Sequence, residues 1–241
     1  MSFNTKKVYI ANAEIQQNPT INETFIITYK STDQQLENIK NKLEDQLDGI
    51  KIKFSDIKIS NVYPTPNEDS YNHQGYGMRF ESYNDGELNY YDGISIDNLD
   101  VSLTGHYGLH IVNRMSGAQA QYYHRNISVT NSSFYDTGGS GIVFARSKNI
   151  LVENSTFKGT GSTKDSRMWE RGSGLWFYTC NDAIVQNSTF EDAYGVQDSF
   201  GAHIDWGNER VVIQYCLSKN NFGGFVEILG ENLDCGYRYN I

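Results

Sequence analysis

The feature that most constrains this chain is a short repeat. A segment reading apolar, any, apolar, any, Asn, any, any, apolar occurs as ISVTNSSF at 127–134, ILVENSTF at 150–157 and AIVQNSTF at 183–190. Shorter forms begin at Val8, running through Asn12, and at Ile94, running through Asn98. Degenerate ones begin at Ile50 and Val211, and Ile241 reads as the first position of a further copy. Strict apolar alternation over a few residues is the pattern of a strand with one buried face. Between the copies lies a second strand opened by Gly, at 77–81, 108–112, 141–145, 174–178, 201–205 and 223–227. Units this short cannot bury an apolar face alone, so they must stack on one another.

Two or three short strands per unit, separated by loops of variable length, describe a coil of about seven rungs. With about 4.8 Å between rungs, the rod is roughly 34 Å long. The composition allows this: of 241 residues 38% are apolar and 13% aromatic, enough for a continuous core. A formal charge of −9 argues against a nucleic-acid partner, since phosphate binding needs a basic face. No apolar run reaches the ~18 residues of a membrane helix, so no membrane partner is expected. Cys180, Cys216 and Cys235 cannot all pair with one another, so disulfides are not the framework. The opening MSFNTKKVYIANAE lacks the apolar stretch of a secretory signal. Residues 31–48 break the repeat; Leu36, Ile39, Leu43 and Leu47 recur at helical spacing and predict one inserted amphipathic helix near 33–47.

The pattern NIxVxNSxF followed by GxGIxF resembles right-handed parallel β-helix proteins of the pectin-lyase-like superfamily, best from Gly77 to Ile241. The resemblance implies an all-β, right-handed, single-stranded parallel β-helix forming one domain over 1–241. It also implies an internal asparagine ladder of Asn12, Asn98, Asn131, Asn154 and Asn187, interrupted by Phe54 and Tyr215, which would account for the Asn-x-Ser/Thr triplets without glycosylation. A secreted, periplasmic or cell-surface protein acting on a polysaccharide or oligosaccharide follows from the same resemblance. The chain starts inside one strand and stops at the start of another rung. It therefore reads as a window on a longer coil, or as one whose ends are covered by self-association. The paired aspartates and RIK-type signature of polygalacturonases are missing, as is the arginine-proline motif of classical pectate lyases, so no particular sugar is carried over.

Stacking turns sequence positions into surface columns. The outward residues of the Gly-led strands fall into one column of Arg79, His110, Val143, Trp176, His203 and Phe225, and a second of Glu81, Val112, Ala145, Tyr178, Asp205 and Glu227. Asp205 and Glu227 then lie on consecutive rungs, roughly 5 to 7 Å apart, a spacing that serves glycosidase acid/base pairs. A solvated acidic edge or a calcium site of oxygen ligands fits the same residues. His203 beside Asp205 offers a base or a sugar-hydroxyl partner. Trp176, Tyr178, Trp169, Trp206 and His110 offer stacking and hydrogen bonding to sugar faces, and Arg146 and Arg171 could hold a uronate or equally pair with Asp165, Glu170 or Asp198. The leading expectation is a glycoside hydrolase with Asp205, Glu227 and His203 as catalytic residues and no resident cofactor, although their oxygen ligands could take calcium. Two alternatives stand beside it. One is a polysaccharide lyase using His203 or Tyr178 with Arg146 or Arg171; the other is a non-catalytic coil that binds glycan through Trp176, Tyr178 and Trp206.

Overall fold

A computed structural model describes residues 6–10, 16–17, 52–64, 75–82, 90–114 and 122–241, the first two segments as backbone alone. The helix expected over 33–47, and Asn12, lie outside the described residues. The Gly-led strands stack in parallel in the order Met78–Ser82, Leu109–Asn113, Ile142–Ala145, Leu175–Tyr178, Ala202–Ile204 and Val226–Ile228. A second face stacks Ile52–Val62, Asp92–Thr104, His124–Thr130, Ser147–Glu153, Asn181–Gln186, Glu209–Gln214 and Gly236–Arg238, also in parallel. Past a corner, Ser133–Thr137, Thr156–Lys158, Thr189–Glu191 and Leu217–Lys219 continue the coil. Lys6–Ile10 departs from this scheme, because it pairs antiparallel with Met78–Ser82. The motif at Val8 is therefore an edge strand on the Gly-led sheet and not a rung of the parallel coil.

The core is a set of columns. Ile94, Ile127, Ile150, Ala183 and Val211 share one register and Ile96, Val129, Val152, Val185 and Ile213 another, all buried. Phe134, Phe157 and Phe190 stack nearly flat, with centroids 5.2 and 4.8 Å apart. Gly108, Gly141 and Gly174 open their strands against these rings. A Cβ at Gly174 would lie 2.6 Å from Phe190 Cδ1 and 2.4 Å from the Gly201 carbonyl oxygen, closer than side chains approach.

Register corrects three sequence expectations. Ile52 pairs with Ile94, so the first copy starts at Ile52 and Asp56, not Phe54, takes the asparagine position; Phe54 packs on the core. Val212 pairs with Gly236, which puts Cys235 at the head of the last copy and makes Ile241 its seventh position. The asparagines themselves do not form an internal ladder. Asn98, Asn131, Asn154 and Asn187 are exposed and hold φ between 50° and 54°, the left-handed corner that asparagine adopts more readily than other side chains. The buried ladder is made of the serines one step on. Ser132, Ser155 and Ser188 accept the N–H of Leu99, Ser132 and Ser155 at 3.1, 3.2 and 3.1 Å, and each donates its hydroxyl to the carbonyl two residues back. Every group in that ladder is satisfied.

Candidate active site

The outward column reads Arg79, His110, Val143, Trp176, His203 and then Glu227. Glu227 faces His203, not Asp205. The expected column failed at its last step because Gly223 and Gly224 form the turn and Phe225, not Gly223, stands beneath Gly201. The Gly201 N–H bonds Gly224 O, and the Phe225 ring turns inward onto Phe190. Asp205 follows the strand Ala202–Ile204, with its N–H on Phe177 O at 2.9 Å, and is 7% exposed.

A cluster of side chains meets at this corner. His203, 2% exposed, lies flat against Trp176 with centroids 5.1 Å apart and planes 5° from parallel, while the Phe200 ring meets it edge-on. Trp176 Nε1 donates to Asp205 Oδ2 at 2.9 Å, which fixes the indole over the imidazole. His203 Nε2 approaches Glu227 Oε2 to 3.0 Å, yet neither atom has an aligned hydrogen-bond partner. Asp198, in the loop that wraps this rung with φ 56°, brings a carboxylate oxygen within 4.8 Å of both. The Arg171 guanidinium donates to Asp198 Oδ2 and lies 5.3 Å from the Trp169 ring.

The electrostatics follow from this packing. Burial raises the Glu227 carboxyl above its usual range, and the negative charges of Asp198 and Asp205 add to the effect. Burial lowers His203, against the pull of Asp205 and Asp198 and with help from Arg171. The corner thus holds a neutral imidazole among three carboxylates.

The other expected residues divide. Arg171 belongs to the corner through Asp198. Tyr178 stands two residues beyond Trp176 on the next outward column, with the Arg146 guanidinium 6.0 Å above its ring and Arg146 Nη1 donating to Asn113 O. Arg146 and Arg171 therefore serve different partners and do not form one anion clamp. Trp206 leaves the sheet after Asp205 and lies over Gly230, where an added Cβ would meet its ring at 2.3 Å. His110 lies three rungs from the corner with Tyr76, His106 and Tyr107, and Trp169 spans the gap, packed on His106 and within 5.3 Å of the Arg171 guanidinium. Tyr76 stacks on both imidazoles at 4.8 and 5.4 Å, and Trp169 lies 4.2 Å from His106. Burial holds both of these histidines neutral, bringing His106 down to about 3.

Sequence reasoning placed Asp198 only as a possible partner of Arg171 and missed its place beside Glu227. It also missed His106 and Tyr76. Alternation says nothing about where a loop carboxylate lands, so only the Arg171 pairing hinted at it. Calcium does not suit the corner: it takes six to eight oxygens, whereas two carboxylates, one already held by Arg171, and an imidazole nitrogen converge here.

Among known proteins, the family described as the right-handed β-helix region matches residues 71–235. No curated protein matches the sequence. Among solved structures, the chain is similar to a GH136 lacto-N-biosidase from Eubacterium ramulus at 18% identity and TM-score 0.49, over 78% of this chain and 41% of that one. It is also similar to a protein from Parabacteroides merdae carrying a provisional glycosyl hydrolase assignment, at 12% identity and TM-score 0.36, over 86% and 89% of the two chains. The chain thus spans less than half the length of the first. With its stacked parallel strands and a family match over more than half its length, the chain belongs to the right-handed β-helix family.

Proposed function

We propose that the chain is a glycoside hydrolase acting on a glycan laid along the Gly-led sheet. The observation that carries the reading is the carboxylate pair Asp198 and Glu227, with oxygens within 4.8 Å, on an outward face flanked by Trp176. Carboxyl groups about 5–5.5 Å apart belong to retaining glycosidases, while inverting ones keep about 6.5–9.5 Å for a water. In this scheme Glu227 protonates the leaving oxygen and Asp198, oriented by Arg171, attacks the anomeric carbon. The covalent glycosyl-enzyme is then released by water that Glu227 deprotonates. Asp205, expected from sequence as one of the pair, acts as a positioning residue by holding the Trp176 indole.

A lyase must neutralise a uronate with a free cation. Arg171 is committed to Asp198, Arg79 and Arg114 both converge on the buried Glu81, and Arg146, over the Tyr178 ring, donates to the Asn113 carbonyl. Three carboxylates at the corner would repel a uronate. The expected substrate is therefore an uncharged polysaccharide or oligosaccharide, and such a substrate fits a secreted, periplasmic or cell-surface protein. Among the described residues, no helix is long and apolar enough to cross a membrane.

The test is turnover of a panel of neutral and uronate-containing glycans, reading new reducing ends and, separately, the absorbance of unsaturated products. Asp198→Asn and Glu227→Gln should each lower kcat/KM on a neutral glycan at least about 100-fold. Unsaturated products would establish the lyase instead, and binding without turnover would establish a glycan-binding coil.

A further inference from the structure

The same corner carries a second property. A buried nitrogen or oxygen left without a hydrogen bond costs about 1–3 kcal/mol, so folded chains rarely keep several together. Here both ring nitrogens of His203 and Oε2 of Glu227 are buried and without hydrogen-bond partners. Trp176 against one face of the ring and Phe200 at its edge keep the imidazole from turning toward water. The 3.0 Å approach of Nε2 to Oε2, out of hydrogen-bond alignment, suits two lone pairs directed at a shared third atom. Asp198 offers a third donor within 4.8 Å, held in place by Arg171.

We infer that Asp198, His203 and Glu227 form a binding site for a transition-metal dication such as zinc. One imidazole nitrogen and two carboxylate oxygens are ligands such ions accept, with a water filling the remaining position. Occupancy would engage both carboxylates of the proposed hydrolytic pair, so the metal-bound protein is the silent form. That regulatory consequence rests on the hydrolase reading; the binding itself does not.

The experiment is calorimetric titration of the whole chain with zinc chloride, followed by thermal melting. One equivalent should bind and raise the melting temperature, because a ligand of the folded state alone stabilises it. His203→Ala and, independently, Glu227→Gln should each weaken binding at least about tenfold with the circular dichroism spectrum unchanged. Cys235→Ser should bind as the parent does. Absence of saturable binding, unchanged affinity in both site variants, or loss of binding in Cys235→Ser overturns the site. On a glycan the enzyme cleaves, zinc should stop turnover and EDTA restore it. Zinc that binds without slowing turnover overturns the regulatory role, whereas a chain that cleaves no glycan refutes the hydrolase reading and leaves the zinc titration to decide the site.

Discussion

His110 and His203 occupy the same outward column three rungs apart, yet their surroundings make them different chemical objects. His110 is sealed under Tyr76, with Tyr107 at its edge and His106 and Trp169 beyond, so its end of the sheet is a closed aromatic pack. His203 shares the burial and also lies against a flat ring, but the groups beyond it are carboxylates. A stacked coil fixes where a side chain emerges and leaves its chemistry to whatever the neighbouring loop supplies. Asp198 is that supply beside His203; Trp169 is its counterpart three rungs away, packed on His106.

Activity separates the two regions most strongly. If the two ends differ as described, Glu227→Gln and Asp198→Asn cost at least about 100-fold in kcat/KM, while His110→Phe changes it only a few-fold. An equal loss at His110 would move the reacting site to the aromatic end. The glycines sharpen the comparison next, because they hold both ends on one frame. Gly174→Ala places a methyl against Phe190 and the Gly201 carbonyl and should cost about 1–3 kcal/mol in denaturant unfolding. A neutral result would mean that the rungs can part at that point.

The smallest effect is on the pH dependence of stability. Burial lowers His106 to about 3 and His110 well below its ordinary value, so below about pH 6.5 the unfolded chain binds more protons. Their contribution to stability is complete above about pH 6.5 and is lost as the pH falls through their lowered folded-state values. Melting temperatures should fall over that range in the parent and fall less in His110→Phe. Identical profiles would mean that these imidazoles are solvated.

How much of this was legible in the sequence depends on which periodicity carried it. The coil, its inward columns and the Gly-led strands were readable because apolar alternation and recurrence report directly on which face is buried. Alternation also placed Trp176 and His203 in one column. It failed where a residue was inserted or exchanged without disturbing hydrophobicity. Phe225 passed for an outward residue because Gly223 looked like the opening glycine, which moved Glu227 one column away from its true neighbour. The asparagine ladder failed for a different reason: asparagine and serine alternate in the motif, and sequence alone does not say which of the two turns inward. The left-handed corner at Asn131, Asn154 and Asn187 sends the amide out and the serine in. Asp198 was beyond reach altogether, since a loop of no fixed period carries it.

The central claim is that Asp198 and Glu227 work as a closely spaced pair, and the stereochemistry of cleavage tests it most directly. Proton NMR of the first-formed sugar product, recorded before mutarotation, should show the anomeric configuration of the substrate retained. Inversion would contradict the claim, because it requires a wider carboxylate separation with a water between the two groups.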